Sequence, residues 1–96
     1  MSDIKTIQED IRHEVGIDLI CGLLGKLTNI LINIKNSDIE DKEQKIEKLR
    51  KIKAALAKER DEAYRGNKDT IERAYTIYVT LLDLIAVNES SFIEIL

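Results

Sequence analysis

Residues 15–34 read "VGIDLICGLLGKLTNILINI". The stretch is apolar enough to suggest a membrane span, yet it carries Asp18, Lys26, Asn29 and Asn33. Whether it enters lipid, the protein's own core or an interface decides the fold. At 100° per residue, Leu19, Leu23, Leu27 and Leu31, with Ile20, Leu24, Ile30 and Ile34, form one broad apolar face. Upstream, Ile4, Ile7, Ile11 and Val15 form a second stripe lying almost opposite the first. A straight helix cannot point both stripes at one core. A kink, a break or a change of packing partner is therefore expected near Gly16.

Punctuation marks the remaining helices. The chain has no proline and four glycines, Gly16, Gly22, Gly25 and Gly66. In "NSDIE", Ser37 suits an N-cap with Glu40 as its capping-box partner. In "RGNKDTIE", Gly66 suits the position just past a helix, Asp69 an N-cap and Glu72 its partner. Helices are thus expected over about 3–35, 38–65 and 70–88, with an apolar tail over 89–96.

The middle helix reads as a surface helix. Ile39, Ile46, Leu49, Ile52, Leu56, Ala63 and Tyr64 fall within an arc of about 140°. Its charged side carries Asp41/Lys45, Glu47/Lys51 and Asp61/Arg65 in the favourable acid-first order. The third helix spreads Ile71, Ala74, Tyr75, Ile77, Tyr78, Leu81, Leu82, Leu84 and Ile85 over roughly 200°. A helix in a three-helix bundle needs an apolar arc of a little over 100°. Segments 17–34 and 71–86 each show about twice that, so surplus apolar surface must go elsewhere.

Lipid is the weakest destination. A span needs about 20 predominantly apolar residues, and a central Asp or Lys costs roughly 2.5–3.5 kcal/mol on the insertion scale. Self-association is the strongest, through stacked helical hairpins. The expected fold is all-α: a long-helix hairpin or three-helix bundle in one domain over 1–96, kinked or broken near Gly16. Such a bundle would assemble as a homo-oligomer, a dimer first, and/or dock on a larger protein. Its interface would comprise Leu19, Leu23, Leu27, Leu31, Tyr75, Ile77, Tyr78, Leu81, Ile85 and Phe92.

Composition narrows the function classes. Ninety-six residues with 15 basic and 18 acidic side chains give a net charge of −3, too mild to imply nucleic-acid attraction. The lone Cys21 leaves no internal disulfide and suits a reducing compartment. "MSDIKTIQEDIRHE" has no apolar core behind a basic start, so no signal peptide is read and the expected address is cytoplasmic.

Each candidate site has a plainer reading beside it. Gly16, Gly22, Gly25 and Asn29, with Asp18 and Asn33, suggest a hinge or a close helix–helix approach; the plainer reading is the wet side of a helix. Asp10, His13 and Glu14 share a face, but one histidine completes no metal site. Cys21 reads as a structural thiol. Tyr75 and Tyr78 read either as partner anchors or as core residues with hydroxyls at the rim. "KLRKIKAALAK" (48–58) holds five basic residues that point several ways round the helix. "SSFIEIL" is expected to dock, because an apolar terminus is seldom left in water.

No nucleophile–base pair, metal-ligand spacing or phosphate-binding loop occurs, so neither catalysis nor a cofactor is expected. The expected function is a non-enzymatic protein–protein interaction module, whether adaptor, inhibitor, chaperone or structural subunit. The alternatives are a nucleic-acid-associated regulator using 48–58 and a membrane-associated helical protein using 17–34.

Overall fold

The structure, a computed structural model, describes residues 2–96. Five α-helices follow in order: α1 (Ser2–Lys35), α2 (Lys42–Tyr64), α3 (Lys68–Arg73), α4 (Val79–Val87) and α5 (Glu89–Ile95). A π-helical turn (Ala74–Tyr78) joins α3 to α4 in one continuous path. No strand occurs among the described residues. The molecule measures 57 × 25 × 17 Å. Its long axis matches α1, which at 1.5 Å per residue spans about 50 Å.

Of the kink, break or change of packing partner expected near Gly16, the break does not occur, since α1 runs unbroken through it. What changes there is the environment of each face. Downstream, Ile20, Leu23, Leu27, Ile30, Leu31 and Ile34 are buried. Upstream, residues 3–12 are all exposed, so that part of α1 forms an arm beyond the body. One continuous helix carries two opposed stripes because only one of them meets a core.

The α1–α2 connection differs from the expected capping box. Ser37 closes α1: its backbone N–H and its hydroxyl both donate to the Ile34 carbonyl, at 3.1 and 2.7 Å. α2 begins only at Lys42, after Asp41 adopts a left-handed φ of 61°. Residues 36–41 are consumed in reversing the chain, and Asp is among the few residues that tolerate that region. Ile39 falls in this connection and Tyr64 in the last turn of α2, so both stay exposed. The stripe that does bury is Ile46, Leu49, Leu56 and Ala63.

At the next corner Gly66 takes φ +91°, as expected of a residue just past a helix. The N-cap is Asn67, two residues earlier than expected, and its side-chain oxygen accepts from the Asp69 N–H at 3.0 Å. The path from α3 through α4 then turns by 115° into α5. Asn88 caps that last helix by accepting from the Ser91 N–H at 3.1 Å.

The tail is a docked helix. Phe92 is 4% exposed, and Ile93 and Leu96 pack on the same core as Leu27, Leu49 and Ile85. Lys45 and Lys48 of α2 donate to the carbonyls of Ile93 (2.9 Å) and Leu96 (2.8 Å), satisfying the open end of α5. The Lys45 ammonium is thus directed to the tail, to the Ile93 and Glu94 carbonyls, in place of the Asp41 pairing expected from its spacing. The broad arc of α1 is covered inside the single chain chiefly by α2, with α3, the π turn and α4 beside it, while α5 closes one end of the same core. Ile77, Leu84 and Val87 stay exposed.

Candidate interaction surface

The residues expected at an interface divide into three groups. Leu23, Leu27, Leu31, Ile85 and Phe92 are core of the single chain, and are unavailable to a partner while the tail stays docked. Leu19, Tyr75, Tyr78 and Leu81 are half-buried, packed against that core or the smaller cluster of Ile20, Ala63, Ile71 and Ala74. Only Ile77 of that set is largely exposed, with Leu84 and Val87 beyond it on α4. Sequence spacing located the apolar arcs correctly. It could not show that α2 and the docked tail would close over the leucines of α1 within one chain.

The glycines separate as well. Gly16 is buried against Ile71, and a Cβ there would sit 2.9 Å from Ile71 Cδ1. Gly22 and Gly25 have nothing within 4 Å of an added Cβ, so no helix of the same chain approaches them. Asn29 and Asn33 are exposed beside them and border an open groove of ≈ 510 Å³ between α1 and α4, with Lys26, Ile32, Ile85, Ala86 and Glu89.

Val87 and Ile95 are the most exposed single apolar residues, but the longest exposed apolar line is the arm. Ile4, Ile7, Ile11 and Val15 are 60, 56, 55 and 42% exposed. At 100° per residue they lie within about 80° of one another, and Asp18, Gly22, Gly25 and Asn29 continue the same line. The arm is anchored at its base. His13 Nε2–H donates to the Ala63 carbonyl at 2.6 Å, which requires the proton on that nitrogen since a carbonyl only accepts. Tyr75 Oη–H donates to the Arg12 carbonyl at 2.9 Å. The Arg12 guanidinium meets Glu72 at 2.6 Å and lies 4.1 Å over the Tyr75 ring. These contacts orient the stripe away from the body. On one flank of the stripe stand Asp3, Asp10 and Glu14; on the other stand Lys5, Gln8 and Arg12.

A second polar constellation ties α2 to the π turn, where backbone geometry is widened. Arg73 donates to both Glu59 oxygens at 2.8 and 2.9 Å and to Thr70 Oγ1 at 3.2 Å. Tyr78 Oη–H donates to Glu59 at 2.9 Å. The Arg73 hydrogen bonds hold the Glu59 carboxyl below its ordinary range, against opposing burial, and the Tyr78 hydroxyl assists. Burial first, and the carboxylate second, push the Tyr78 phenol up, so it remains a donor. With every oxygen engaged internally, this is a strut between helices. No sequence signal pairs residues 59 and 73.

Among the described residues no group of three His, Cys, Asp or Glu could hold a metal, and His13 has spent one ring nitrogen on Ala63. Cys21 is exposed, where a structural thiol was expected to be buried. In the basic stretch, Lys48 is engaged with the Leu96 carbonyl. α1 is long and apolar enough to cross a bilayer by length and composition, with hydropathy 1.7 in its most apolar window, a third of which is buried in protein. The fold defines an all-α helical bundle. Comparison with protein-family models, curated proteins and solved structures gives no match.

Proposed function

We propose that this chain is a non-enzymatic protein–protein interaction module, a small cytoplasmic accessory protein working as a homo-oligomer and/or as the small partner of a larger protein. The supporting observation is the isoleucine stripe on the α1 arm, aimed away from the core by the His13, Arg12 and Tyr75 contacts. An apolar line of this length, held outward on a rigid helix, has the form of an i, i+3, i+7 docking edge. The face that carries affinity is thus the arm, and the leucines of segment 19–31 support it from inside.

The alternatives are weaker on charge. Over residues 2–15 the arm carries Asp3, Glu9, Asp10 and Glu14 against Lys5 and Arg12. That balance does not draw the arm to phosphate. Of the segments the alternatives use, 48–58 has Lys48 engaged with the Leu96 carbonyl, and 17–34 has Ile20, Leu23, Leu27, Ile30 and Ile34 buried in protein.

The test compares the wild type with a double variant, Ile7→Lys with Ile11→Lys, in three assays. These are protein association (sedimentation of the pure chain and capture from lysate of its source cell), retention on DNA, and pelleting with liposomes. Stripe-dependent protein association alone is the expected result. Salt-sensitive DNA retention or liposome pelleting, without protein association, overturns the reading in favour of the corresponding alternative.

A further inference from the structure

We infer that the occupant of the arm is a second copy of the same chain, paired in parallel about a two-fold axis along the Ile4–Ile7–Ile11–Val15 stripe. The inference rests on the interaction reading above and specifies its partner and geometry.

The first argument is area. A compact monomer of 11.0 kDa is expected to expose about 5,600 Å². This chain exposes 6464 Å². The surplus of roughly 850 Å² is close to the approximately 800 Å² that each partner buries in an interface of standard size. The arm accounts for much of the elongation, and it is where large apolar side chains stand in an unbroken line.

The second argument is the spacing. Successive steps of three, four and four residues from Ile4 to Val15 keep one seam in line over three turns of helix. That three-four-four step is the 11-residue spacing by which an apolar seam stays in line between two nearly straight or right-handedly coiled helices. Asp18 is the next residue on the line and ends the apolar run.

The third argument is charge, and it selects the orientation. In a parallel pair the unlike flanks of the two helices meet; in an antiparallel pair like flanks meet. Parallel pairing sets the acidic flank of one copy, Asp3, Asp10 and Glu14, beside the flank of Lys5 and Gln8 of the other, while Arg12 stays on Glu72 and Tyr75 of its own chain. Antiparallel pairing stacks the acidic flanks on each other. The body lies on the opposite side of α1, against Ile20, Leu23, Leu27 and Ile34, so two bodies can flank one central pair of arms.

The experiment is light scattering on a sizing column, from about 1 µM to about 1 mM, the range over which such contacts saturate. Disulfide trapping accompanies it in a Cys21→Ser background. The expected results are a wild-type dimer, and an Ile7→Lys chain of unchanged helix content whose dissociation constant rises at least about 100-fold, since two unpaired cations would meet at the seam. Ile4→Cys alone should form a disulfide dimer under mild oxidation, because only parallel pairing brings the two positions 4 together. A wild type that stays monomeric throughout overturns the inference, while the interaction reading stands if stripe-dependent capture of another protein persists. A dimer indifferent to Ile7→Lys overturns it, as does trapping only between Ile4→Cys and Val15→Cys chains, the mark of an antiparallel pair.

Discussion

Gly16 of α1 and Ile71 of α3 touch so closely that a methyl added at Gly16 would lie 2.9 Å from Ile71 Cδ1 and 3.0 Å from its Cγ2. Ile71 is itself buried against Ile20, Ala63 and Ala74. The glycine is therefore a helix-packing device, and the arm leaves the body where that contact ends.

The three glycines of α1 should consequently respond oppositely to alanine. Gly22→Ala and Gly25→Ala gain helix propensity in open space, and each should raise the unfolding free energy by about 0.5–1 kcal/mol. Gly16→Ala gains the same propensity but displaces a branched, buried side chain, a strain of about 1–3 kcal/mol. A net loss of about 1 kcal/mol is expected. Urea unfolding at one fixed protein concentration distinguishes the two signs.

The Glu59–Arg73–Tyr78 strut should make stability depend on acid. The folded pKa of Glu59 lies below its ordinary value of 4.5. Its contribution is therefore complete above the unfolded value and is lost as pH falls through the folded one. Glu59→Gln should cost about 1–2 kcal/mol at neutral pH, in the range for hydrogen bonds to a charged, partly shielded group. The gap between variant and wild type should narrow steadily below about pH 5. A gap that stays constant to about pH 3 would show that the carboxylate charge contributes nothing.

The docked tail should contribute core stability. Phe92→Ala removes a ring that is 4% exposed and should destabilise by about 3 kcal/mol. It should also increase binding of a hydrophobic dye, as the groove beside Ile46, Leu49 and Ile85 opens. Lys48→Ala, which removes one donor to the Leu96 carbonyl at an exposed site, should cost well under half as much. Equal effects of the two variants would mean that α5 is held by its polar cap and not by its ring.

Much of this architecture was legible in local pattern. The opposed stripes of Ile4–Val15 and Leu19–Leu31, the left-handed Gly66 and the docking of an apolar tail all follow from short-range rules of periodicity, glycine conformation and solvent avoidance. The expected kink, break or change of partner near Gly16 rested on a sound premise, that one straight helix cannot serve one core with two faces. The chain resolves the conflict by leaving one face outside. Ser37 and Asp69 each had good N-cap chemistry, and each lost the role because closing α1 and placing α3 after Gly66 depended on where the chain had to turn.

By itself, then, the sequence determined that this protein is helical and where its apolar faces lie. Those properties are written in residues three or four apart, which a helix brings together whatever surrounds it. Only the tertiary structure decided which faces are spent. That α2 packs along the leucines of α1 and that Glu59 meets Arg73 are contacts between residues far apart in the chain, and the isoleucines of the arm remain in solvent because no such contact reaches them. No local preference encodes them, because each depends on how much apolar area the whole chain can close over at once.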